Sequence, residues 1–351
     1  MQRTYHPLVA RKPPELLSII IPLYNEQEVV PELRRRMTAV LDALDCRSEL
    51  ILVNDGSGDR TIDLLLQWAA DDSRVHVLGL ARNFGHQLAI TAGLDNAWGD
   101  AVVIMDADLQ DPPELIHDML REYQRGYDVV YGRRTGREGE TRFKRLCAWG
   151  FYRLMRSFVH AELPVDAGDF RLISRRSLET LQQMRETHRF LRGMTTWIGF
   201  PQTAVEYCRA PRSAGESNYP LSKLLRLAWT AVVSFSPAPL RISLFAGALL
   251  LLFGAGDGLY VLIRAIQGHR EALTWFAGVA AVSLSFGAVL LAIGILGEYV
   301  GRLYDEIKGR PLYVVGIRAN VELSHRPVQL GIADAVRRKA LRLAPALVEQ
   351  A

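Results

Sequence analysis

The sequence predicts an α/β protein, a doubly wound, mostly parallel sheet followed by helices that lie in and cross a membrane. Three observations carry this reading. Between residues 17 and 131, short apolar runs alternate with helical segments over short connections, the pattern of a parallel sheet covered on both faces. The fourth run, from Ala101, leads directly into Asp106-Ala107-Asp108-Leu109-Gln110. That places acids at the carboxyl edge of a strand, where open α/β sheets bind ligands. Farther on, residues 242–263 and 273–297 are stretches of 22 and 25 residues that hold one charge between them, Asp257. Each reaches the roughly 20 apolar residues that a helix needs to cross the hydrocarbon.

Taken in order, residues 17–23 form the first strand, apolar but for Ser18 and Pro22. A helix is expected over 26–44, with Pro31 near its start, then a second strand over 49–53 ending at Asn54-Asp55-Gly56-Ser57-Gly58-Asp59. A helix over 61–70, a strand over 75–80, a helical pattern through 94 and the strand from Ala101 follow. That strand ends where the acids begin, Pro112-Pro113 marks a stop beyond them, and a helix over 113–125 leads to a fifth strand at 128–131. Residues 166–171, Asp-Ala-Gly-Asp-Phe-Arg, make a small-residue turn into another strand. No Gly-x-Gly-x-x-Gly follows strand one, where the chain reads Pro22-Leu23-Tyr24-Asn25-Glu26. The main signature of a nicotinamide or flavin dinucleotide is therefore missing. The glycine-rich turn after strand two carries Asp55 and Asp59, which suit hydrogen bonds from a nucleobase or ribose better than a phosphate cradle.

Asp106 and Asp108 alternate onto one face of extended chain, and Gln110 can join them. Such hard oxygen ligands suit Mg²⁺ or Mn²⁺ shared with a bound phosphate. An isolated Asp-x-Asp is more often a solvated turn, but here the strand, the glutamine and the proline stop all fit one site. The net charge is only +4, and the three cysteines are scattered without metal or redox spacing, which fits a reducing compartment. The amino terminus has no apolar leader, so the first domain is expected in the cytosol.

Basic and aromatic residues mingle between 133 and 158, a segment suited to phosphates or lipid heads. Arg209, Arg212, Lys223, Arg226 and Arg241 precede the first span, and Arg302, Lys308, Arg310 and Arg318 follow the second. Between the spans stand only Arg264 and Arg270, so both ends are expected on the cytoplasmic side of the cell (inner) membrane. Residues 227–240 are apolar but too short to span and contain Pro237 and Pro239, which suggests a helix lying in the interface. The expected plan is a soluble domain over 1–219, an interfacial helix over 220–241, a two-helix hairpin over 242–300 and a cytoplasmic tail over 301–351, whose basic stretch 336–343 also suits the membrane surface. The basic clusters follow the bilayer rather than any reading helix, so no nucleic-acid partner is expected.

Several motifs stand in register: Ser18-Ile-Ile-Ile-Pro-Leu-Tyr-Asn-Glu26, Val53-Asn-Asp-Gly-Ser57, Arg82-Asn-Phe-Gly85 and Asp106-Ala-Asp-Leu-Gln-Asp-Pro-Pro-Glu114. Further on come Gly168-Asp-Phe-Arg171, Arg212-Ser-Ala-Gly-Glu-Ser217 and Gly297-Glu-Tyr-Val-Gly-Arg302. Together, across about residues 17 to 315, they resemble the family-two glycosyltransferases, in particular the polyprenyl-phosphate sugar transferases related to dolichol-phosphate mannose synthase. The resemblance implies a GT-A catalytic domain that binds a nucleotide-diphosphate sugar. By the same resemblance Pro22, Tyr24, Glu26, Val53 and Asp55 hold base and ribose, and Ala107 backs the nucleotide. Asp106, Asp108 and Gln110 hold Mg²⁺ or Mn²⁺, Arg133 and Arg212 meet donor phosphates, and Arg133, Arg171 and Lys223 meet the lipid phosphate. Asp108, Arg133 and Asp169 are the implied catalytic residues.

One departure is Asn218, which stands where the family's Arg-x-x-Gly-x-Ser-Lys-Tyr has lysine, with Lys223 five residues on. A general-base role for Asp169 sits poorly with the chemistry, because a phosphate monoester is already an anion near pH 7, its second pKa being about 6. Orienting the acceptor or Arg171 suits Asp169 better. The implied activity is inverting transfer of a sugar to polyprenyl phosphate by a membrane-bound, self-associating enzyme. The alternative is a membrane-anchored nucleotide-sugar sensor or scaffold without transfer. A processive polysaccharide synthase would carry more spans and a Gln-x-x-Arg-Trp motif, which this chain lacks.

Overall fold

The computed structural model describes residues 8–134, 167–208 and 273–321, with scattered residues between 243 and 267. The chain divides into a unit built on a sheet and a second, helical unit that includes residues 219–308.

The sheet unit starts with β1 (Leu16–Leu23), α1 (Val30–Asp42), β2 (Arg47–Asn54), α2 (Thr61–Asp71), β3 (Val75–Leu80), α3 (His86–Asp95) and β4 (Ala101–Ile104). Strands β4, β1, β2 and β3 lie side by side in that order, all parallel. Successive strands run outward from β1 to β3 and then return to its other side with β4. The order therefore reverses between β1 and β4, the switch point at which such sheets open a ligand crevice.

After a single 3₁₀ turn at Pro113–Leu115 come α4 (Ile116–Gln124), β5 (Val129–Arg134), β6 (Ala167–Ser174), α5 (Arg175–Gln183), α6 (Leu191–Trp197) and β7 (Gln202–Tyr207). β6 pairs antiparallel with both β4 and β5, and β5 pairs parallel with β7. Far along the chain, β8 (Val315–Ala319) closes the other edge, antiparallel to β3. The mostly parallel sheet expected from the sequence is present, with eight strands in the order β7-β5-β6-β4-β1-β2-β3-β8. Neither β7 nor β8 is anticipated, and the expected cytoplasmic tail thus contributes a strand to the sheet unit.

Alternation along β1 builds both faces of the core. Leu17, Ile19, Ile21 and Leu23 pack with Leu33, Met37, Leu65, Trp68, Ile116 and Met119. Ile20 faces the other way, into Ala89, Ile90, Leu178, Leu181, Leu191 and Met194. Each fully buried aliphatic side chain contributes roughly 1.5–3 kcal/mol. Gly93 lets α3 close on β1, since a Cβ there would stand 2.3 Å from Ile20 Cγ2.

In the helical unit, α7 (Leu273–Ile307) runs for 35 residues, and its segment Leu284–Ile307 contains an 18-residue stretch of mean hydropathy 1.8, none of it buried. Leu290, Leu291, Ile293 and Leu296 on this segment are exposed. It is the one helix among the described residues long and apolar enough to cross a membrane. The first expected span, 242–263, falls on a partly described stretch that includes a shorter apolar helix, Gly247–Gly256. The interfacial helix at 220–241, the basic segment beyond Arg134, Arg212, Asn218, Lys223, Asp257 and the basic tail at 336–343 lie outside the described residues.

Candidate active site

The carboxyl ends of β1 and β2 form one half of the crevice. β4 pairs with β1 only as far as Ile20, while β2 accompanies β1 to Leu23. Pro22, buried opposite Val53, thus sits where the ladder toward β4 has ended, and its missing N–H leaves nothing unpaired there. Asn25 follows in the left-handed region (φ 54°), which asparagine tolerates. Its Oδ1 accepts from Gly58 N at 2.9 Å, and its own N–H donates to Ser57 Oγ at 3.0 Å. Glu26 N donates to Thr61 Oγ1 at 2.9 Å, so the loops after β1 and β2 are tied together. Tyr24 is about half exposed beside them.

Asp55 is buried and accepts from the backbone of Phe84 at 2.8 Å and of Gly85 at 2.9 Å. Burial raises its pKa despite those bonds. Each oxygen keeps a second lone pair, so Asp55 both shapes the loop at 82–85 and can meet a ligand. Gly56 (φ 66°) permits this approach, because a Cβ there would lie 2.4 Å from the Arg82 carbonyl carbon.

The second half belongs to β4, β6 and the start of α3. β4 ends at Ile104, earlier than expected, and residues 107–109 form a turn in which Leu109 takes φ 56°. A left-handed conformation is costly for a bulky residue, and burial of Leu109 in the core holds it. Burial still alternates, with Asp106, Asp108 and Gln110 partly exposed and Ala107, Leu109 and Asp111 buried. The three expected ligands thus share the open side through the turn rather than through extended chain. Asp108 Oδ1 accepts from Gln110 N at 3.2 Å, bracing that turn.

The β4–β6 ladder ends with Ile104 opposite Arg171, each two residues along the chain from Asp106 and Asp169 respectively. His86, the first residue of α3, comes between them, its Nε2 being 3.4 Å from Asp106 Oδ1 and 3.3 Å from Asp169 Oδ2. Arg192 Nε donates to Asp169 Oδ1 at 2.8 Å, and Gln87 Nε2 lies 3.3 Å from Asp169 Oδ2.

The two carboxylates titrate in opposite directions. Burial pushes Asp106 up to about 6; His86 opposes this, while Asp169, Asp111 and Asp108 add to it. Burial also acts to raise Asp169, but His86, Arg192 and Arg171 outweigh it and hold that carboxyl far below the usual range. Burial alone would lower His86, yet Asp169 and Asp106 raise it. Asp169 is therefore a fixed anion at neutral pH and a poor proton acceptor, in line with the chemical objection to a base there.

A divalent cation fits this edge. Asp106 Oδ1 is buried and accepts no hydrogen bond among the described residues. One ligand atom each from His86, Asp106 and Asp169 lie within 4.8 Å of one another, and Asp108 is not of that group. Two carboxylates and an imidazole supply anionic oxygens and one nitrogen, a donor set that Mn²⁺ accepts and that departs from the all-oxygen set expected from the sequence.

The arginines divide differently from expectation. Arg171 is buried, donating to Thr195 Oγ1 at 2.5 Å and Gly168 O at 2.9 Å, and burial lowers its pKa to about 10. The structure corrects its assignment to the lipid phosphate, because its guanidinium is enclosed by protein and holds the β6 turn. Arg133 pairs with Glu206 across β7, away from the acids, whereas Arg134 donates to the Tyr207 hydroxyl at 3.2 Å and lies 3.5 Å from Asp111 Oδ1. Alternation on β5 thus gives Arg134, rather than Arg133, the inward position. His86, Gln87 and Arg192 are missed by the sequence reading, although His86 directly follows the motif Arg82–Gly85; Arg134 enters it only as part of the basic segment from 133.

The description "Glycosyl transferase family 2" matches residues 18–182. "Uncharacterized glycosyltransferase YkcC" of Bacillus subtilis (strain 168) is 45% identical over 300 residues, 85% of this chain and 92% of that protein. "SfII prophage-derived bactoprenol glucosyl transferase" of Shigella flexneri is 36% identical over 307 residues, 85% of this chain and 97% of that protein. Among solved structures, mannosyl-3-phosphoglycerate synthase from Rubrobacter xylanophilus has 19% identity and a TM-score of 0.45, covering 62% of this chain and 71% of that one. With relatives this similar over most of its length, the chain belongs to glycosyl transferase family 2 and is a glycosyltransferase.

Proposed function

We propose that this glycosyltransferase moves one sugar, with inversion, from a nucleotide-diphosphate sugar to polyprenyl phosphate at the cytoplasmic face of the cell membrane. The observation that carries the reading is the opposed pair Asp106 and Asp169 bridged by His86 at the switch point of the sheet. Relatives named bactoprenol glucosyl transferase support the acceptor, and α7 supports attachment to a bilayer. The two-span hairpin over 242–300, the interfacial helix over 220–241 and phosphate contacts from Arg212 and Lys223 belong to the same proposal.

In this reading the loops at Tyr24–Glu26 and Asp55 receive the nucleoside. Asp106, Asp169 and His86 hold Mg²⁺ or Mn²⁺, with Asp108 and Gln110 beside them on the open side. When bound, the cation supplies positive charge where negative charge grows on the departing diphosphate. An oxygen of the acceptor phosphate bonds to the anomeric carbon as that carbon's bond to the diphosphate oxygen breaks, and the electron pair leaves with the nucleoside diphosphate. The acceptor oxygen is already ionised, so no side chain has to take a proton from it. Asp169 instead fixes Arg192 through its other oxygen.

The test is a screen of labelled nucleotide sugars with undecaprenyl phosphate in membranes containing the full chain, with and without Mg²⁺ or Mn²⁺. Metal-dependent label in the lipid fraction is expected for one sugar. Donor binding without any transfer or hydrolysis would favour a sensor instead.

A further inference from the structure

The arginines around the acidic edge differ in what holds them. Arg171 is buried, Arg134 is engaged by Tyr207 and Asp111, and Arg133 faces Glu206. Arg192, in the first turn of α6, is held by the Asp169 carboxylate itself: Asp169 Oδ1 accepts from its Nε at 2.8 Å, and its side chain is partly exposed at the acidic edge. We infer that Arg192 receives the phosphate of the acceptor, with Asp169 as the positioning residue that aims it. The inference rests on the transfer reading above and names the residue that would hold the acceptor within the same site.

The order of the strands supports the acceptor rather than the donor. From β2 across to β6, the carboxyl-edge features run from Asp55, through Tyr24 and Glu26 after β1, to Asp106 after β4 and then Asp169. Nucleoside and diphosphate occupy the β2–β1–β4 part of that line, which leaves the β6 side, with Arg192, for the incoming nucleophile. Charge points the same way. An acceptor phosphate approaching Asp106, Asp108, Asp111 and Asp169 meets four carboxyl groups and needs a cation on its own flank. A guanidinium presents a planar fork of donors that matches phosphate oxygens, and a carboxylate behind it fixes the angle of that fork. Asp169 fills the second role through its 2.8 Å bond to Nε, and Thr195 and Thr196, whose hydroxyls donate to Arg192 O at 3.1 and 2.9 Å, brace the turn that carries it.

The test uses the full-length enzyme in membranes, undecaprenyl phosphate as the varied acceptor and the donor sugar that the screen identifies. Arg192→Ala is expected to raise the KM for undecaprenyl phosphate at least about tenfold, the loss of a charge-assisted hydrogen bond. The KM for the nucleotide sugar should stay within about twofold, and Arg192→Lys, which keeps the charge but loses the fork, should fall between. An unchanged acceptor KM in Arg192→Ala, or an equal rise in the donor KM, overturns the inference. Should Arg192→Ala not accumulate as folded protein, Arg192→Lys decides by the same two constants. A wild-type enzyme that never labels undecaprenyl phosphate overturns the transfer reading and this inference together. Wild-type transfer with an unaltered acceptor KM in the variants overturns this inference alone.

Discussion

Asp128 and Asp106 are acids at opposite ends of one sheet, and they are treated in opposite ways. At the amino end of the parallel strands, Asp128 is fully buried and accepts from Ser174 Oγ at 2.6 Å, Arg11 at 2.8 Å and Arg176. Burial would raise its pKa, but Arg176, Ser174 and Arg11 together lower it. At the carboxyl end, Asp106 has a buried oxygen with no hydrogen bond among the described residues, and its pKa rises to about 6. A carboxylate with both oxygens engaged by cationic and hydroxyl donors is architecture, whereas one left in the field of other acids is arranged for a ligand that brings positive charge. Room alone does not make this distinction. A cavity of about 660 Å³ lies at the amino end, lined by Arg11, Glu15, Asp100, Tyr123 and Arg175, yet Arg11 is held by Asp128, Asp100 by the backbone N–H groups of Glu15 and Leu16, and Arg175 by the Ala97 carbonyl.

Substitutions at the two ends should separate activity from stability. Asp106→Asn is expected to lower transfer by about 10³-fold, near 4 kcal/mol at the barrier, as for loss of a principal electrostatic group. Thermal melting of the same variant should change little, because Asp106 is partly exposed and its 3.4 Å approach to His86 is longer than an ordinary hydrogen bond. A melt several degrees lower with near-normal transfer would assign Asp106 to architecture.

Asp128→Asn should do the reverse, costing about 3 kcal/mol of stability at neutral pH while the folded fraction keeps its activity. The sign with pH follows from the lowered pKa of Asp128. Its stabilisation is complete above the ordinary carboxylate value of about 4 and is lost as pH falls through the lower native value. The gap in melting temperature between wild type and Asp128→Asn should therefore narrow below about pH 4. A gap that stays constant into acid would show that the ion pairs contribute little.

Smaller effects sharpen the picture of the nucleoside side. Gly56→Ala places a methyl group against the Arg82 backbone at a positive φ, which should cost about 1–3 kcal/mol and raise the donor KM by loosening the loop that Asp55 holds. Equal donor KM values would separate that loop from nucleotide binding. Smallest is Tyr313→Phe, which removes a 2.9 Å hydrogen bond to Asp95 just ahead of β8 and should cost about 1 kcal/mol in chemical denaturation.

Strands with apolar runs, β1 to β5, were legible because both faces of a parallel sheet are buried, and their residues say so. β7, Gln-Thr-Ala-Val-Glu-Tyr, is a polar edge strand without such a run. β8 is short and pairs with β3 from beyond α7, so nothing local announces it; Asn320 helps secure that end by donating to Ala69 O and Val75 O. Asp106 and Asp108 were readable because strand and acids are contiguous. His86 and Arg192 were not, since they reach Asp169 from 83 and 23 residues away through packing of α3 and α6. Arg171 was misjudged for the same reason, because burial of a guanidinium depends on the helices that fold over it.

The central claim is that Asp106, Asp169 and His86 form a cation site on which transfer depends. Titration of the full-length enzyme with Mn²⁺, followed by electron paramagnetic resonance, tests it directly. Wild type should bind one ion that Asp106→Asn weakens by about 100-fold or more. Equal Mn²⁺ binding in the two proteins, or undiminished transfer in the presence of excess chelator, would contradict the account.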